Sequence, residues 1–353
     1  MASVAPDKSF CFRQIHIDAA RNSTDDFNPF HEPRKCRHIR GNPYAGTIVL
    51  GFQLEFLIEH EINLHRDMHG EAEFIAQHKL NYSNYQLTFA NALLPDEPFR
   101  LELKPTQVKT APPALSNRVL IRKEKAMVMI GYKRETAEPL VLAERSFGSL
   151  PDLRQAEDRA FLPGTNYFLK RKFMSAGNAK NFAAGSLCDQ AYYFDELEDR
   201  INFPDMFPVS LLSCALLEKA MNEQHDFMTN PMVYMAHNIS VDRRLARTVR
   251  SNDVLNVLVE GAEIIEGERG LGKSGVNKLL FNCFGLVHAQ QIPLPSGSTH
   301  GSTPFNLELW VSRASRSRKS ASPCDATVWS YQRPQSKWPK RDGDGAPNPY
   351  RER

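Results

Sequence analysis

The chain is poor in the features that would mark a secreted, membrane or zinc-stapled protein. Among 353 residues there are six cysteines and three tryptophans. Cys11, Cys36, Cys188, Cys214, Cys283 and Cys324 are scattered, with no C-x-x-C pair and no metal-ligand spacing, which argues for reduced thiols rather than a disulfide framework or a zinc site. No apolar run approaches the roughly 18 residues of a membrane span, and the opening MASVAPDKSF has no apolar core of signal-peptide length. A cytoplasmic location is therefore expected. A large charge of either sign is also missing, because the net charge is +3. From Ser312 to Arg353 ten Lys/Arg face four Asp/Glu, a surplus of six, which leaves the preceding residues three negative. A globular part of this kind is not expected to bind nucleic acid. What the chain does have is 41% hydrophobic and 24% charged residues, an ordinary globular composition with length for one to three domains.

The richest stretch runs from Ser23 to Ile62, where a polar loop with Asp26, Asn28, Pro29 and His31 leads through Gly41-Asn42-Pro43 into an apolar helical run opening at Gly46. Proline fixes φ, and an asparagine side chain can bond its own backbone, so Asn28-Pro29 favours a turn that brings Asp26 and His31 to one side. A carboxylate and an imidazole converging there form an acid/base pair. A helix beginning beside them aims free backbone N–H groups at an oxygen gaining negative charge. The residues alone leave open that Asp26 caps a turn and His31 is a solvated loop histidine.

Asp26-Phe27-Asn28-Pro29-Phe30-His31 resembles the D-x-N-P-[LIV]-H signature of the MaoC-like, (R)-specific enoyl-thioester hydratases and dehydratases. The resemblance implies a hot-dog fold, a catalytic dyad of Asp26 and His31, and an N–H donor to the thioester carbonyl at Gly46. Asn28 and Gly51 are further candidates, Gly51 either for close packing against a sheet or as a second donor. The chain departs from the pattern in three places: Asp25 stands where the family has Gly, Arg37 where it has a small residue, and Ala45-Gly46 where it has His-Gly.

Ser9 to Ile17 reads as a first strand, with His16 in a structural role. Strand-like segments follow at Glu71–Leu80, Leu87–Leu93, Phe99–Val108, Val119–Tyr132 and Leu140–Phe147, with a turn at Pro95-Asp96-Glu97. The order then recurs. A second helical run, Phe207 to Met221, lies about 160 residues on, paired strands flank Ser251-Asn252-Asp253, and Leu279 to Gln291 repeats the last long strand. The second copy lacks the D-x-N-P-x-H loop. Its sequence resembles fatty-acid and polyketide hot-dog dehydratases, but Asn202 stands in place of their His and Cys214 in place of their acid. It is read as a non-catalytic partner that completes the sheet and the acyl pocket, with Tyr192, Tyr193 and Phe194 as core or pocket wall. Gly267 to Ser274 satisfies the phosphate-loop pattern, yet the next segment looks like a strand rather than a helix, so a glycine hairpin loop is the reading.

The expectation is an α+β double hot-dog, two antiparallel sheets each wrapping a long helix. A catalytic copy would span 1–150 and a second copy 161–311, joined by a linker near Ser149–Ala160 and followed by a disordered basic tail over 312–353. The resemblance further implies a hydro-lyase on an acyl chain carried by coenzyme A or an acyl carrier protein, with no metal or redox cofactor, no membrane partner, and monomer or homodimer both open. A hot-dog thioesterase and a silent acyl-binding protein are the rival readings.

Overall fold

The computed structural model describes residues 8–44, 46–140, 147, 150–261, 263–265, 278–287 and 305–313. Strand β1 (Lys8–Cys11) precedes helix α1 (Gln14–Thr24), the short α2 (Pro33–Cys36), the long α3 (Gly51–Met68) and α4 (Glu71–Gln77). Strands β2 (Tyr82–Phe89), β3 (Pro98–Leu103), β4 (Gln107–Thr110), β5 (Pro113–Lys123) and β6 (Ala126–Thr136) complete the first half. The second half runs through β7 (Ala160–Phe161), β8 (Phe168–Phe173), α5 (Ala176–Gly185), β9 (Phe194–Asp195), β10 (Arg200–Ile201) and the long α6 (Met206–Asn222). It ends with β11 (Met232–Asp242), α7 (Arg243–Ala246), β12 (Val254–Val259), β13 (Glu263–Ile265), β14 (Lys278–Val287) and β15 (Phe305–Arg313).

The strand order repeats with inverted direction. The first half reads β1-β3-β5-β6-β2 and the second β11-β15-β14-β12-β8. The two sheets expected from the sequence are halves of one: β2 and β11 pair antiparallel from Tyr82↔Asp242 to Thr88↔Ala236. Joining them at these strands leaves neither an exposed edge at the centre. Each half wraps its own helix. Every residue of α6 from Met206 to Leu217 is buried, as a helix that is apolar all round must be. Phe52, Phe56, Phe182 and Phe207 are 0–1% exposed and form the centre of the core, where Phe56 stacks on Phe182 at 5.3 Å.

Several boundaries differ from the sequence reading. The first strand stops at Cys11 and α1 follows, with His16 Nδ1 accepting the Arg13 N–H at 3.0 Å as a structural cap. The central helix opens at Gly51, not Gly46. Ile48 N–H donates to Phe30 O and Val49 N–H to Leu93 O, so this β-branched run is held extended by its neighbours before the helix can start. Glu71–Gln77 is a helix rather than a strand. Gly70 at φ +66° ends the preceding turn, and Glu71 and Glu73 suit a helix N-terminus. Val119–Tyr132 spans two strands, β5 and β6, that turn at Glu124 (φ +46°). Leu140–Phe147, the glycine loop at 267–274 and the tail beyond Arg313 fall mostly or wholly outside the described residues; the strands flanking the glycine loop, β13 and β14, pair antiparallel.

Candidate active site

The D-x-N-P-x-H loop is built by local turn chemistry. Helix α1 ends at Asp25, which takes a left-handed conformation (φ +55°). A glycine would adopt this most easily, and aspartate tolerates it, so the Asp25 departure is accommodated, its carboxylate reaching out to Lys172. Asp26 Oδ1 then accepts the Asn28 N–H at 2.9 Å. Asn28 Oδ1 accepts the Phe30 N–H at 3.2 Å and caps the single turn Pro29–His31. Its amide donates to Met232 O at 2.9 Å, fastening the loop to β11. Asn28 is therefore engaged with backbone at both ends. Arg37 is exposed, outside the buried loop.

Asp26 and His31 are 4% and 5% exposed. His31 Nδ1 donates to Ile48 O at 2.8 Å, which fixes the tautomer and leaves Nε2 with its lone pair. The same Ile48 donates its N–H to Phe30 O at 3.1 Å. This two-bond clamp sets the imidazole three residues before Gly51. Gln14 supports it from α1, donating to His31 O at 3.3 Å and accepting from Thr47 Oγ1 at 2.5 Å. Burial lowers the His31 pKa, with the nearby Asp26 charge and the Ile48 carbonyl opposing. A neutral imidazole beside a carboxylate is a base ready to act near neutrality.

At the helix start, Gln53 Oε1 accepts the Leu50 N–H at 3.1 Å. The first-turn N–H groups of Gly51 and Phe52 have no carbonyl within the helix to meet. A Cβ at Gly51 would lie 2.7 Å from Phe89 Cζ, so a larger residue there would have to displace the Phe89 ring. Gly46 lies in the loop five residues earlier, with nothing within 4 Å of where a Cβ would stand. Gly46 therefore does not stand at the helix start expected for it; Gly51 does, with Leu50 before it.

Four residues that the sequence alone did not single out lie beside the loop or the first turns of α3. Ser213, on α6, donates to Asp26 Oδ2 at 2.7 Å and shares a 2.6 Å hydrogen bond with Tyr234 OH. Glu55 and His237, both fully buried, pair at 2.7 Å, and the His237 ring stacks on Phe52 at 4.7 Å. Ser213 and Tyr234 come from the second half, so that half holds the Asp26 carboxylate directly. Local sequence gives no sign of this, because the partners are 187 positions apart. Cys214, the residue next along, donates to Glu218 at 3.6 Å, and its pKa is pushed up to about 12 by burial. Phe194 and Tyr193 are both buried in the core, Tyr193 also edging the cavity that the half-buried Tyr192 lines. Among the described residues no group of three or more His, Cys, Asp or Glu could hold a metal ion, and no helix is long and apolar enough to cross a membrane.

No protein-family model and no curated protein matches the sequence. Solved structures do match in three dimensions. A protein from Chloroflexus aurantiacus J-10-fl assigned to the MaoC domain dehydratases superposes with a TM-score of 0.52 at 8% identity, over 86% of this chain and 92% of its own. A MaoC-like dehydratase (TM-score 0.49, 8% identity, 87% and 96% coverage) matches as well. So does a Mycobacterium tuberculosis protein described as having a double hot-dog fold (TM-score 0.48, 11% identity, 88% and 97% coverage). The chain has the double hot-dog fold, and over most of its length it is similar in structure to MaoC-like dehydratases.

Proposed function

We propose that this chain is a hydro-lyase acting on acyl thioesters, adding water to a 2-enoyl chain or removing it from a 3-hydroxyacyl chain carried by coenzyme A or an acyl carrier protein. The observation that carries the reading is His31: a buried, neutral imidazole with Nε2 free, beside Asp26 and tied through the Ile48 clamp to the open start of α3. In hydration, His31 Nε2 takes a proton from water as its oxygen bonds to C3. The electron pair moves through C2 to the thioester oxygen, which the Gly51 and Phe52 N–H groups meet. The imidazolium, balanced by Asp26, then returns the proton to C2. Dehydration runs these steps backwards. General base catalysis of this kind contributes about 10²–10⁴-fold, and one backbone donor to the developing oxyanion about 3 kcal/mol.

The test is a spectroscopic and mass-spectrometric assay with crotonyl-CoA and longer 2-enoyl-CoAs, supplemented by the same acyl groups on a carrier protein. Addition of one water, lost in Asp26→Asn and His31→Gln, is the expected result. Release of free thiol without hydration would make the protein a thioesterase. Tight binding without any turnover on either carrier would make it an acyl-binding protein.

A further inference from the structure

Two open cavities, of about 400 and 630 Å³, adjoin one another across Asn63, Tyr192, Arg243 and Arg247. Neither is lined by Asp26, His31 or Gly51. Asn63 stands twelve residues along α3 from Gly51, roughly 18 Å at the helical rise. This double cleft is therefore separate from the site described above, and its ligand chemistry does not depend on the proposed activity.

The wall of the smaller cavity carries Arg66, Lys79, Arg243, Arg244 and Arg247 against one acid, Asp67. Asp67 is engaged with Tyr192 OH at 2.7 Å. Arg244 is held by Asp242 at 2.8 Å. Glu135 serves three cations at once, namely Arg66, Lys133 at 2.9 Å and Arg243 at 3.6 Å. Lys79 and Arg247 are exposed, and among the described residues neither is in an ion pair, Glu59 and Asp205 lying with Arg247 along the wall of the larger cavity. The positive surplus of the cleft thus sits on these two side chains, which come from the end of α4 and the end of α7.

Lys79 carries a second observation. It follows the last residues of α4 in a left-handed conformation at φ +51°, a position that glycine fills most easily. The chain holds a lysine in that conformation at the lip of a cationic cleft. Guanidinium forks and a lysine converging from different elements match the several oxygens of a phosphate better than a single carboxylate. The larger cavity shares Tyr192 and adds Tyr193 and Asn202, with Glu59 and Asp205 offset by Lys133 and Arg200. Cavities of this size suit a small molecule.

We propose that this double cleft binds a phosphate-bearing small molecule, its phosphate held by Arg247, Lys79 and Arg243 and its uncharged polar part lying along Tyr192, Tyr193 and Asn202. Calorimetric titration of the full chain with ADP, inorganic pyrophosphate and inorganic phosphate, at low and at physiological salt, tests this. One site is expected, weakening as salt rises, because the contacts are charged. Arg247→Glu should weaken it at least tenfold and His31→Gln should leave it unchanged. Lys79→Gly should weaken it several-fold while the melting temperature stays the same or rises, since glycine relieves the backbone; a lysine with only a structural role would not separate the two readouts. Tighter binding of ADP than of pyrophosphate would assign the tyrosine wall a share of recognition, and equal binding would place recognition in the cations. No binding of any of the three probes at low salt, wild-type binding in both cleft variants, or loss of binding in His31→Gln would overturn the proposal.

Discussion

The two halves of this molecule share one chain path around one central helix each, and they differ in what meets the start of that helix. In the first half, α3 opens at Gly51, three residues after the Ile48 carbonyl that holds His31 Nδ1, and the N–H groups of Gly51 and Phe52 have no carbonyl within the helix to meet. In the second half, the corresponding donors are taken. Glu59 of α3 accepts the Asp205 N–H at 2.8 Å and the Met206 N–H at 2.9 Å, filling the start of α6 with a carboxyl group of the protein itself. The histidine near that second helix start, His60, has both nitrogens engaged, one with Tyr193 OH at 3.3 Å and one with the Asp189 N–H at 3.4 Å. One fold thus gives an open helix end in one copy and a closed one in the other.

The largest effects that could break this comparison lie at the dyad. His31→Gln and Asp26→Asn should each lower thioester hydration about 10²–10⁴-fold, measured as initial rates with crotonyl-CoA, while the equivalent change at His60 leaves turnover within a few-fold. Gly51→Ala comes next. Its methyl meets Phe89 at 2.7 Å, and overpacking of that kind costs about 1–3 kcal/mol. A lower melting temperature together with lost turnover is expected, and Phe89→Leu in the same chain should recover the stability. Turnover and melting temperature both unaffected by Gly51→Ala would show that the Phe89 ring yields to the methyl.

Ser213→Ala sharpens the role of the second half. Removing the hydroxyl that bonds Asp26 should cost about 1 kcal/mol of positioning, read as a roughly five- to tenfold fall in kcat with KM unchanged, and Ser213→Thr should restore part of it. The smallest effects are in the dependence of stability on pH, followed by urea midpoints. Burial, then the Asp205 charge, push Glu59 up to about 8. A carboxyl raised in the folded state gives stability that is full below the unfolded value near 4.5 and is lost as pH rises through about 8. Glu59→Gln should therefore flatten the decline between these values. His31 works the other way, because its pKa is lowered by burial. The unfolded chain binds that proton first, so its contribution falls as pH drops below about 6.5, and His31→Gln should reduce the loss on the acid side.

How much of this is legible in the sequence depends on distance along the chain. The loop can be read because its turn chemistry is short-range: Asp26 and Asn28 each accept a backbone N–H two positions on, and Pro29 fixes φ in the turn that Asn28 caps. The repeat can be read because α6 is apolar all round and the second-half strands flank a clear turn. The start of α3 cannot, since Ile48 and Val49 continue the apolar pattern of the helix but are held extended by Phe30 and Leu93. Helix α4 reads as a strand because seven residues offer too little period to separate the two. Ser213 and Glu59 act on partners more than 140 positions away, and Tyr234 reaches Asp26 only through Ser213. Nothing in their own neighbourhoods marks them.

The most direct measurement compares the two histidines in one assay. Crotonyl-CoA hydration by the wild type, His31→Gln and His60→Gln, with melting temperatures recorded alongside, should show turnover abolished in the first variant and kept in the second. Turnover that survives in His31→Gln and disappears in a folded His60→Gln would place the chemistry at the second helix start and contradict His31 as the base.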